Sequence, residues 1–393
     1  MIYVHVPFCR SFCTYCDFYS EVAPKCRQAE DAMSQNALFE RFADALAAEI
    51  RTRKYEIQSV CAASGVKTLY IGGGTPSVLP LGVFQKMLRA LKETGVSGEF
   101  TEFTVEVNPE DIVEKGTAYV EGLLELGVNR VSMGVQSFDD GILKWMNRRH
   151  DSATAVKAYR ILEDAGVRNI SIDLIFGLPQ LSDELWRETL DKALSISSRG
   201  IVPQHISSYQ LSVEPGSMLA KLVERSKWSE ASDELCQRQY DILCETLAAA
   251  GYHHYEISNF AQPGHEAVHN SAYWKHIPYI GLGPGAHSFV GTSCERKWNE
   301  GNLNEYLRAG ESGDFTAVSD GETLDEEQIA IEKIMLGLRT SSGVSENYLR
   351  QHCDIVALDE ALHEGRLIRQ SEGSFRIPES SFFVSDSIIV SLL

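Results

Sequence analysis

Between residues 67 and 213 the chain alternates short apolar segments with longer segments of helical periodicity. Short apolar runs that end in glycine, proline or a polar residue predict strands, and the segments between them predict helices. This alternation is typical of βα units, in which each helix crosses back over a parallel sheet. The predicted strands of this region are 67–71, 103–107, 130–136, 169–176 and 205–213.

A sixth strand is predicted at the start of the chain, where an alternating apolar run precedes a cluster of cysteines. Six parallel strands suit a partial or open barrel better than a closed eight-stranded one. We therefore predict an α/β fold with a partial (β/α)6 barrel over residues 1–215. In βα barrels the carboxyl ends of the strands carry the functional site. Three glycines and three polar residues lie at these ends: Gly72, Gly73, Gly74, Glu106, Gln136 and Asp173.

The pattern changes after residue 215. Residues 216–310 contain one predicted helix, 233–250, and then a helix-poor stretch rich in His, Tyr, Asn and Gly. Long irregular stretches of this kind tend to be functional. A Gly- and acid-rich linker near Ala309–Gly321 is expected to separate a C-terminal unit, 311–393. Its first helix is expected to open with a capping box at Thr323–Glu326.

Three helices and a hairpin predict a winged-helix-like shape for this C-terminal unit. Such units often bind DNA, but residues 323–393 contain 6 Lys and Arg against 12 Asp and Glu. The whole chain has 36 Lys and Arg against 55 Asp and Glu, a net charge of −19. This sign argues against a nucleic-acid partner and against electrostatic adsorption to anionic lipid.

Neither a membrane span nor a secretory signal is visible in the sequence. No uninterrupted apolar run approaches the roughly 20 residues that a membrane helix needs, and no basic segment precedes an apolar one at the start. The 9 cysteines are an odd number at irregular spacing, which does not suggest a disulfide framework. We expect a cytoplasmic protein.

Three of the cysteines, Cys9, Cys13 and Cys16, form a C-x3-C-x2-C pattern directly after the first predicted strand. Soft thiolates on one short loop can converge on iron or zinc. A closed zinc site needs a fourth nearby ligand, and the next cysteine is Cys26, ten residues on. Three ligands on a four-iron cluster leave one iron open to a further ligand. A zinc knuckle and three unrelated thiols are the alternatives.

This cysteine spacing is similar to that of the radical S-adenosylmethionine (SAM) superfamily. The resemblance implies a [4Fe-4S] cluster held by the three cysteines, with SAM on the fourth iron and reductive cleavage of SAM to a 5′-deoxyadenosyl radical. A glycine run lets the backbone approach a ligand and leaves N–H groups free to bind it. The run after the second strand resembles the superfamily's site for the SAM amino group, with Gly73, Gly74 and Thr75 as contacts.

Further SAM contacts are implied by a resemblance to the oxygen-independent coproporphyrinogen oxidase branch of the superfamily. Tyr3 stands six residues before the first cysteine, where that branch has a tyrosine near the cluster and SAM. Tyr15 lies between the second and third cysteines, where an aromatic side chain covers the adenine. The remaining implied contacts are Glu106, Gln136, Arg148 and Asp173, each in a short string similar to that branch. For Arg148, the alternative is an ordinary salt bridge on the protein surface.

The string His269-Asn270-Ser271-Ala272-Tyr273-Trp274, with the strings at 255–260 and 281–289, resembles the HemW family of haem chaperones. Imidazole is a common axial ligand of haem iron, and a Tyr-Trp pair offers flat surfaces for a porphyrin. A packed loop is the alternative. The resemblance implies haem binding at His269 and delivery of haem to membrane-bound respiratory haemoproteins. The protein would then be cytoplasmic, or peripheral to the inner membrane through a protein partner.

Two other functions are kept as alternatives. One is oxygen-independent coproporphyrinogen III oxidase in porphyrin biosynthesis, which abstracts hydrogen from propionate side chains. That oxidase has an additional cysteine where this chain has Phe18, and a long segment before its cluster, whereas eight residues precede Cys9 here. The other is a radical SAM enzyme that acts on an unknown substrate. We assign no catalytic residue from the sequence.

Overall fold

The computed structural model describes residues 1–23, 29–96, 98–200, 202–291, 293–370 and 373–393, and side chains throughout these ranges except at 29–32. Cys26 and Glu372, the first residue of the predicted hairpin turn, lie outside the described residues. The strands are β1 (Ile2–Val6), β2 (Phe8–Cys9), β3 (Glu21–Val22), β4 (Thr68–Gly73), β5 (Glu102–Val107), β6 (Arg130–Gln136), β7 (Ile170–Phe176), β8 (His205–Gln210), β9 (His253–Glu256), β10 (Asn259–Ala261), β11 (Ile280–Leu282), β12 (His287–Val290), β13 (Glu295–Asn299), β14 (Ser319–Thr323), β15 (Val344–Ser345), β16 (Ile368–Arg369) and β17 (Ser374–Arg376).

The helices follow the strands in the predicted alternation, and short 3-10 turns lie at Pro76–Val78, Thr316–Val318 and Glu379–Val384. The α-helices are α1 (Ala29–Thr52), α2 (Lys54–Ser64), α3 (Leu81–Glu93), α4 (Pro109–Glu125), α5 (Asp140–Trp145), α6 (Ser152–Ala165), α7 (Asp183–Leu194), α8 (Met218–Glu224), α9 (Asp233–Ala249), α10 (Val268–Trp274), α11 (Leu303–Ser312), α12 (Glu326–Leu338), α13 (Glu346–His352), α14 (Ile355–His363) and α15 (Ser385–Leu392).

The main sheet has the strand order β11-β1-β4-β5-β6-β7-β8-β10-β9. Its centre consists of the six predicted strands, β1 and β4 to β8, all parallel to their neighbours. In the described part of the chain β11 and β9 do not pair with each other, so the sheet is an open, partial barrel, as predicted. Strands β9 to β11 come from the predicted unit 216–310. Strand β11 lies at one edge of the sheet beside β1, and β10 and β9 lie at the other edge beside β8. The units 1–215 and 216–310 therefore share one sheet, and their limits remain a prediction.

The six parallel strands alternate apolar and polar residues. On β6, the apolar residues Val131, Met133 and Val135 are buried in the hydrophobic core that the sheet forms with its helices. The residues between them line a cavity inside the barrel. The interior of a closed βα barrel is normally filled with Val, Ile and Leu. The interior of this barrel is polar and open, so it is available to ligands.

The C-terminal unit has the predicted winged-helix-like order: α12, then β15, α13 and α14, and then β16 and β17. Its three short strands form one sheet in the order β15-β17-β16. The final helix α15 packs against α12 and was not predicted. Among the described residues, no helix has both the length and the apolar character to cross a membrane.

Three local predictions are corrected by the structure. The first long helix, which the sequence predicts from about Ala32 to Tyr55, ends at Thr52, and a second helix follows it, closed by Gly65 in the left-handed region. The predicted linker near Ala309–Gly321 is wrong, because α11 extends into it and β14 pairs with β13. The capping box lies two residues later than predicted, between Asp325 and Gln328, since Thr323 still belongs to β14.

One buried carboxylate connects the first helix to the edge of the barrel. Glu49 on α1 accepts hydrogen bonds from the Gly283 backbone N–H (2.8 Å), the Asn299 side-chain amide (2.8 Å) and the Tyr306 hydroxyl (2.7 Å). Arg53, the residue between α1 and α2, forms an ion pair with it at 2.9 Å. The Glu49 side chain has no exposed surface. Among the described residues, Glu49 is the acceptor on which the Gly283 N–H and the Tyr306 hydroxyl depend.

We expect Glu49→Ala to lower the free energy of unfolding by about 3–5 kcal/mol, because it leaves the Gly283 N–H and the Tyr306 hydroxyl buried without their acceptor and removes one of the two carboxylates that pair with Arg53. Glu311→Ala is the matched control, since its ion pair with Arg41 lies on the surface and such pairs contribute about 0–1 kcal/mol. Urea unfolding followed by circular dichroism measures both. Equal losses for the two variants would contradict the assigned role of Glu49.

Candidate functional site

The loop that carries the three cysteines is held by backbone hydrogen bonds at the carboxyl end of the barrel. The Thr14 N–H donates to the Met146 carbonyl (3.1 Å), and the Thr14 carbonyl accepts from the Leu219 N–H (2.8 Å). The Asn147 side-chain amide donates to the Phe12 carbonyl (2.7 Å). The loop is thus fixed between the end of α5 and the start of α8. Its conformation is set by protein contacts.

The three thiols are free, half-buried and on the wall of one cavity of about 1130 Å³. Burial raises the pKa of Cys9, and raises that of Cys16 to about 12. Within the described ranges, no three His, Cys, Asp or Glu side chains come close enough together to hold a single metal ion. Three soft sulfur donors on one cavity wall nevertheless fit an iron-sulfur cluster, which Cys thiolates hold. Metal binding there must release the thiol protons.

Arg148 lies beside this cysteine loop. Its guanidinium donates to the Cys13 sulfur at 3.5 Å, to the Asn108 side-chain oxygen at 2.8 Å and to the Gly134 carbonyl at 2.7 Å. Arg148 therefore does not form a surface salt bridge, which was the alternative from the sequence. Its positive charge stabilises negative charge at the cysteine end of the cavity.

The glycine run packs against the strand that leads into the cysteine loop. The Gly74 N–H donates to the Val6 carbonyl at the end of β1 (2.8 Å), and the Thr75 N–H donates to the Phe8 carbonyl on β2 (2.7 Å). The Gly73 N–H donates to Glu106 Oε2 at 3.2 Å. These N–H groups are not free for a ligand, contrary to our expectation. A Cβ atom on Gly74 would lie 2.7 Å from the Phe8 carbonyl oxygen. Glycine is thus required because two backbone segments meet there.

Two carboxylic acids face the cavity from neighbouring parts of the sheet. Glu106 on β5 accepts from the Tyr70 hydroxyl at 2.6 Å, and Asp173 on β7 accepts from the Ser132 hydroxyl at 3.2 Å. Burial raises the pKa of Glu106 to about 7, and the nearby charge of Asp173 adds to this effect. Burial also raises the pKa of Asp173. Both groups can accept hydrogen bonds from the hydroxyls of a ligand.

A strained residue at the end of β6 directs a further side chain. Gln136 has φ 66°, in the left-handed region that non-glycine residues rarely adopt, and the pairing of β6 with β7 shifts register just before it. Bulges of this kind redirect side chains beside functional sites. The whole set of thirteen predicted site residues lines the same cavity: Cys9, Cys13, Cys16, Tyr3, Tyr15, Gly73, Gly74, Thr75, Glu106, Gln136, Arg148, Asp173 and His269. Their contacts with SAM or haem remain a prediction.

His269 lies at the opposite end of the barrel from the cysteines. It belongs to the short helix α10, within the stretch that the sequence predicted to be helix-poor. Glu102, the first residue of β5, accepts hydrogen bonds from the backbone N–H groups of Val268 (2.8 Å) and His269 (2.9 Å). Thr68, the first residue of β4, pairs with His269 Nδ1 at 2.8 Å. The two ends are separated by one strand of six residues, roughly 15–20 Å.

The His269 imidazole is buried, with only 1% of the residue exposed. Burial lowers its pKa to about 3, so the ring is neutral at physiological pH, the form that binds metals. Its Nε2 lies 3.0 Å from the Tyr273 hydroxyl. The Tyr70 ring is 5.2 Å from the imidazole, and Tyr273 meets it edge-on at 4.9 Å.

Several cavity residues were missed by the sequence analysis. His205 on β8 is buried and pairs with the Ser171 hydroxyl and the Tyr255 hydroxyl, both at 2.8 Å. Burial lowers the pKa of His205 well below its usual value. Tyr70 and Arg130 also face the cavity. All of them occupy the inward positions of strands whose alternate residues are apolar, so the period of two was the available signal.

Comparison with known proteins agrees with this site. Residues 3–193 match the family model of the radical SAM superfamily. The haem chaperone HemW of Bacillus subtilis is 34% identical over 352 residues, covering 88% of this chain and 84% of that protein. HemW of Synechocystis sp. is 32% identical over 349 residues, covering 87% and 78%.

Among solved structures, coproporphyrinogen III oxidase (HemN) from Escherichia coli is similar, with a TM-score of 0.75 over 99% of this chain and 89% of that one. At 22% identity this likeness concerns the fold. The class defined by fold and site is that of radical SAM proteins. Within that class, the chain belongs to the HemW family. Membership of the superfamily implies a [4Fe-4S] cluster and SAM as cofactors, and the cysteine end of the cavity fits them.

Replacing any of Cys9, Cys13 or Cys16 by alanine should abolish stable cluster binding, because each removes one of three sulfur donors. Iron analysis after anaerobic reconstitution should give about four irons per wild-type chain and far fewer for each variant. Cys61→Ala and Cys353→Ala are the controls, since both are free cysteines away from the cavity. Full iron content in a triplet variant would contradict the assignment.

The raised pKa of Glu106, about 7, predicts a pH dependence of stability. The folded state holds this proton more tightly than the unfolded chain, so its contribution is lost as pH rises from about 4 through 7. In metal-free protein, the wild type should lose about 2–3 kcal/mol relative to Glu106→Gln between pH 5 and pH 8. Urea unfolding at several pH values measures this difference. A difference that does not change with pH would exclude the assigned protonation.

Proposed function

We propose that the protein binds haem in the barrel cavity, with His269 as the iron ligand, and delivers the haem to haemoproteins. The curated relatives that cover most of this chain are named haem chaperones. The cavity is continuous from the cysteine loop to His269, so one chamber can serve both the radical SAM cofactors and haem.

The observation that carries this proposal is the way His269 is held. A histidine that binds a metal usually has its other ring nitrogen fixed by a hydrogen bond. The Thr68 hydroxyl lies 2.8 Å from Nδ1 and supplies that partner. When Nδ1 carries the proton, Nε2 is left to accept from the Tyr273 hydroxyl. Iron would replace this hydroxyl at Nε2.

Aromatic rings lie around His269 at the amino end of the cavity. The Tyr70 and Tyr273 rings lie 5.2 and 4.9 Å from the imidazole, and both residues line the cavity. Rings of this kind pack well against a flat macrocycle. The chamber therefore offers the His269 imidazole and two aromatic rings to a porphyrin.

The opposite end of the cavity has an exposed apolar mouth. Large side chains that line the cavity and remain exposed are Phe12, Phe18, Tyr209 and Met218. Exposed apolar groups that cluster around an opening mark a site for an apolar ligand. We take this mouth as the entrance for haem. Phe18, where the oxidase has a further cysteine, is 66% exposed there.

At the cysteine end, the residues of the chain position the cofactors. Cys9, Cys13 and Cys16 would hold the cluster, and Glu106 and Asp173 would accept hydrogen bonds from SAM hydroxyls. When bound, the cluster and SAM supply one-electron chemistry. The other proposed SAM contacts are Tyr3, Tyr15, Gly73, Gly74, Thr75, Gln136 and Arg148.

We further propose membrane-bound respiratory haemoproteins as acceptors, reached from the cytoplasm through protein contacts. The net charge of −19 favours docking to a protein partner over direct adsorption to anionic lipid. Transfer of haem from the loaded protein to an apo-haemoprotein, followed by the absorbance of the acceptor, tests this step.

His269→Ala should weaken haem binding at least tenfold, because it removes the iron ligand. Thr68→Val should weaken it about tenfold by releasing Nδ1, whereas Tyr273→Phe should not weaken it, because it removes the competitor at Nε2. His287→Ala is the control, since that residue is exposed and does not line the cavity. Titration with haem followed in the Soret band measures all four.

Unchanged haem affinity of His269→Ala would remove this residue from the site. The oxidase alternative has its own test, anaerobic incubation of reconstituted protein with coproporphyrinogen III, SAM and a reductant. Formation of protoporphyrinogen would overturn the chaperone proposal.

A further inference from the structure

Arg130 is a buried cation without a partner. It begins β6 and points into the barrel cavity, with 3% of the residue exposed. Its Nε has no hydrogen-bond partner, and no carboxylate forms an ion pair with its guanidinium in the part of the chain that the structure describes. A buried charge is costly unless it is paired and hydrogen-bonded. A buried charge without a hydrogen-bond partner needs an explanation in a native structure, and a bound ligand that pairs with it is one.

A second unpartnered group lies directly beside it. Thr104 is the residue on β5 that pairs with Arg130 across the two strands. It is fully buried, and its hydroxyl has no hydrogen-bond partner. Two adjacent polar side chains are therefore unsatisfied at one place in the barrel. Of the two, Arg130 lines the cavity and Thr104 does not, so a ligand would reach the guanidinium.

The nearby acids do not fill this place. Glu106 and Asp173 lie nearer the cysteine end of the strands, and each already accepts from a hydroxyl, Tyr70 and Ser132 respectively. Their charges stabilise the Arg130 cation at a distance but leave its N–H groups free. Arg130 lies two strands away from Tyr70 in the same row of the sheet, and the Tyr70 ring lies 5.2 Å from the His269 imidazole.

We propose that Arg130 forms a carboxylate-binding subsite, and that it takes a propionate group of haem. This inference rests on the proposed function. A guanidinium binds a carboxylate through two parallel hydrogen bonds. The subsite is separate from the thiols and from the proposed SAM contacts.

The strand register explains how this subsite would orient the macrocycle. Tyr3 pairs with Tyr70, Tyr70 with Thr104, and Thr104 with Arg130, so one row crosses four strands. Half of this row is aromatic and half is polar and cationic. Haem has the same division, since its propionates lie along one edge. Arg130 holds that edge, and Tyr70 packs against the apolar part.

The test compares haem with haem dimethyl ester, in which both propionates are blocked. We expect the wild type to bind haem about ten to a hundred times more tightly than the ester, as for a charge-assisted pair. Arg130→Gln should reduce this ratio to near one by weakening haem binding alone. Thr104→Val should leave it unchanged, because Thr104 does not line the cavity. Arg149→Gln is the matched control, because Arg149 lines the mouth of the cavity and forms an ion pair with Glu110.

Each result of these titrations either supports the carboxylate-binding subsite or overturns it. Equal binding of haem and ester by the wild type would overturn the subsite, and this comparison does not depend on any variant folding. An unchanged ratio in a folded Arg130→Gln variant would also overturn it. In both cases haem binding itself, and with it the proposed function, would stand. Absence of haem uptake by the wild type would overturn both.

Discussion

The structure depends on which way the side chains of six parallel strands face. Apolar residues turn outward, where they pack under the helices, and polar residues turn inward. An interior lined by Arg130, Glu106, Asp173 and His205 cannot close into a hydrophobic core, because each of these groups needs a hydrogen-bond partner or a ligand. The outer layer supplies the stability that the inner layer does not, so the barrel can stay open as a binding chamber.

The two ends of the chamber are built differently. At the carboxyl end, the glycine run lies against the cysteine loop so closely that a side chain on Gly74 would collide with backbone. This contact, together with Arg148, sets the positions of the thiols. At the amino end, α10 closes the barrel, and Glu102 and Thr68 hold His269. Since both ends are fixed to the first or last residues of the same strands, the strand length sets their separation.

Much of this could be predicted from the sequence, because strand–helix alternation and the cysteine spacing are local signals. The partial barrel and the winged-helix-like unit follow from such signals. The hydrogen bonds from the Gly74 and Thr75 N–H groups could not be predicted, because their acceptors, the Val6 and Phe8 carbonyls, lie more than sixty residues earlier in the chain. In the sequence Arg130 is only the first residue of a predicted strand, because the residues beside it in the barrel come from other strands that the folded register brings together.

The central claim is that haem and the cluster occupy opposite ends of one chamber. Anomalous diffraction at the iron absorption edge, on crystals of protein loaded without air with the cluster and with haem, measures the distance between the two metal centres. The six-residue strand between the cysteine loop and His269 predicts roughly 15–20 Å. A distance above about 30 Å would place haem outside the barrel and would contradict the account.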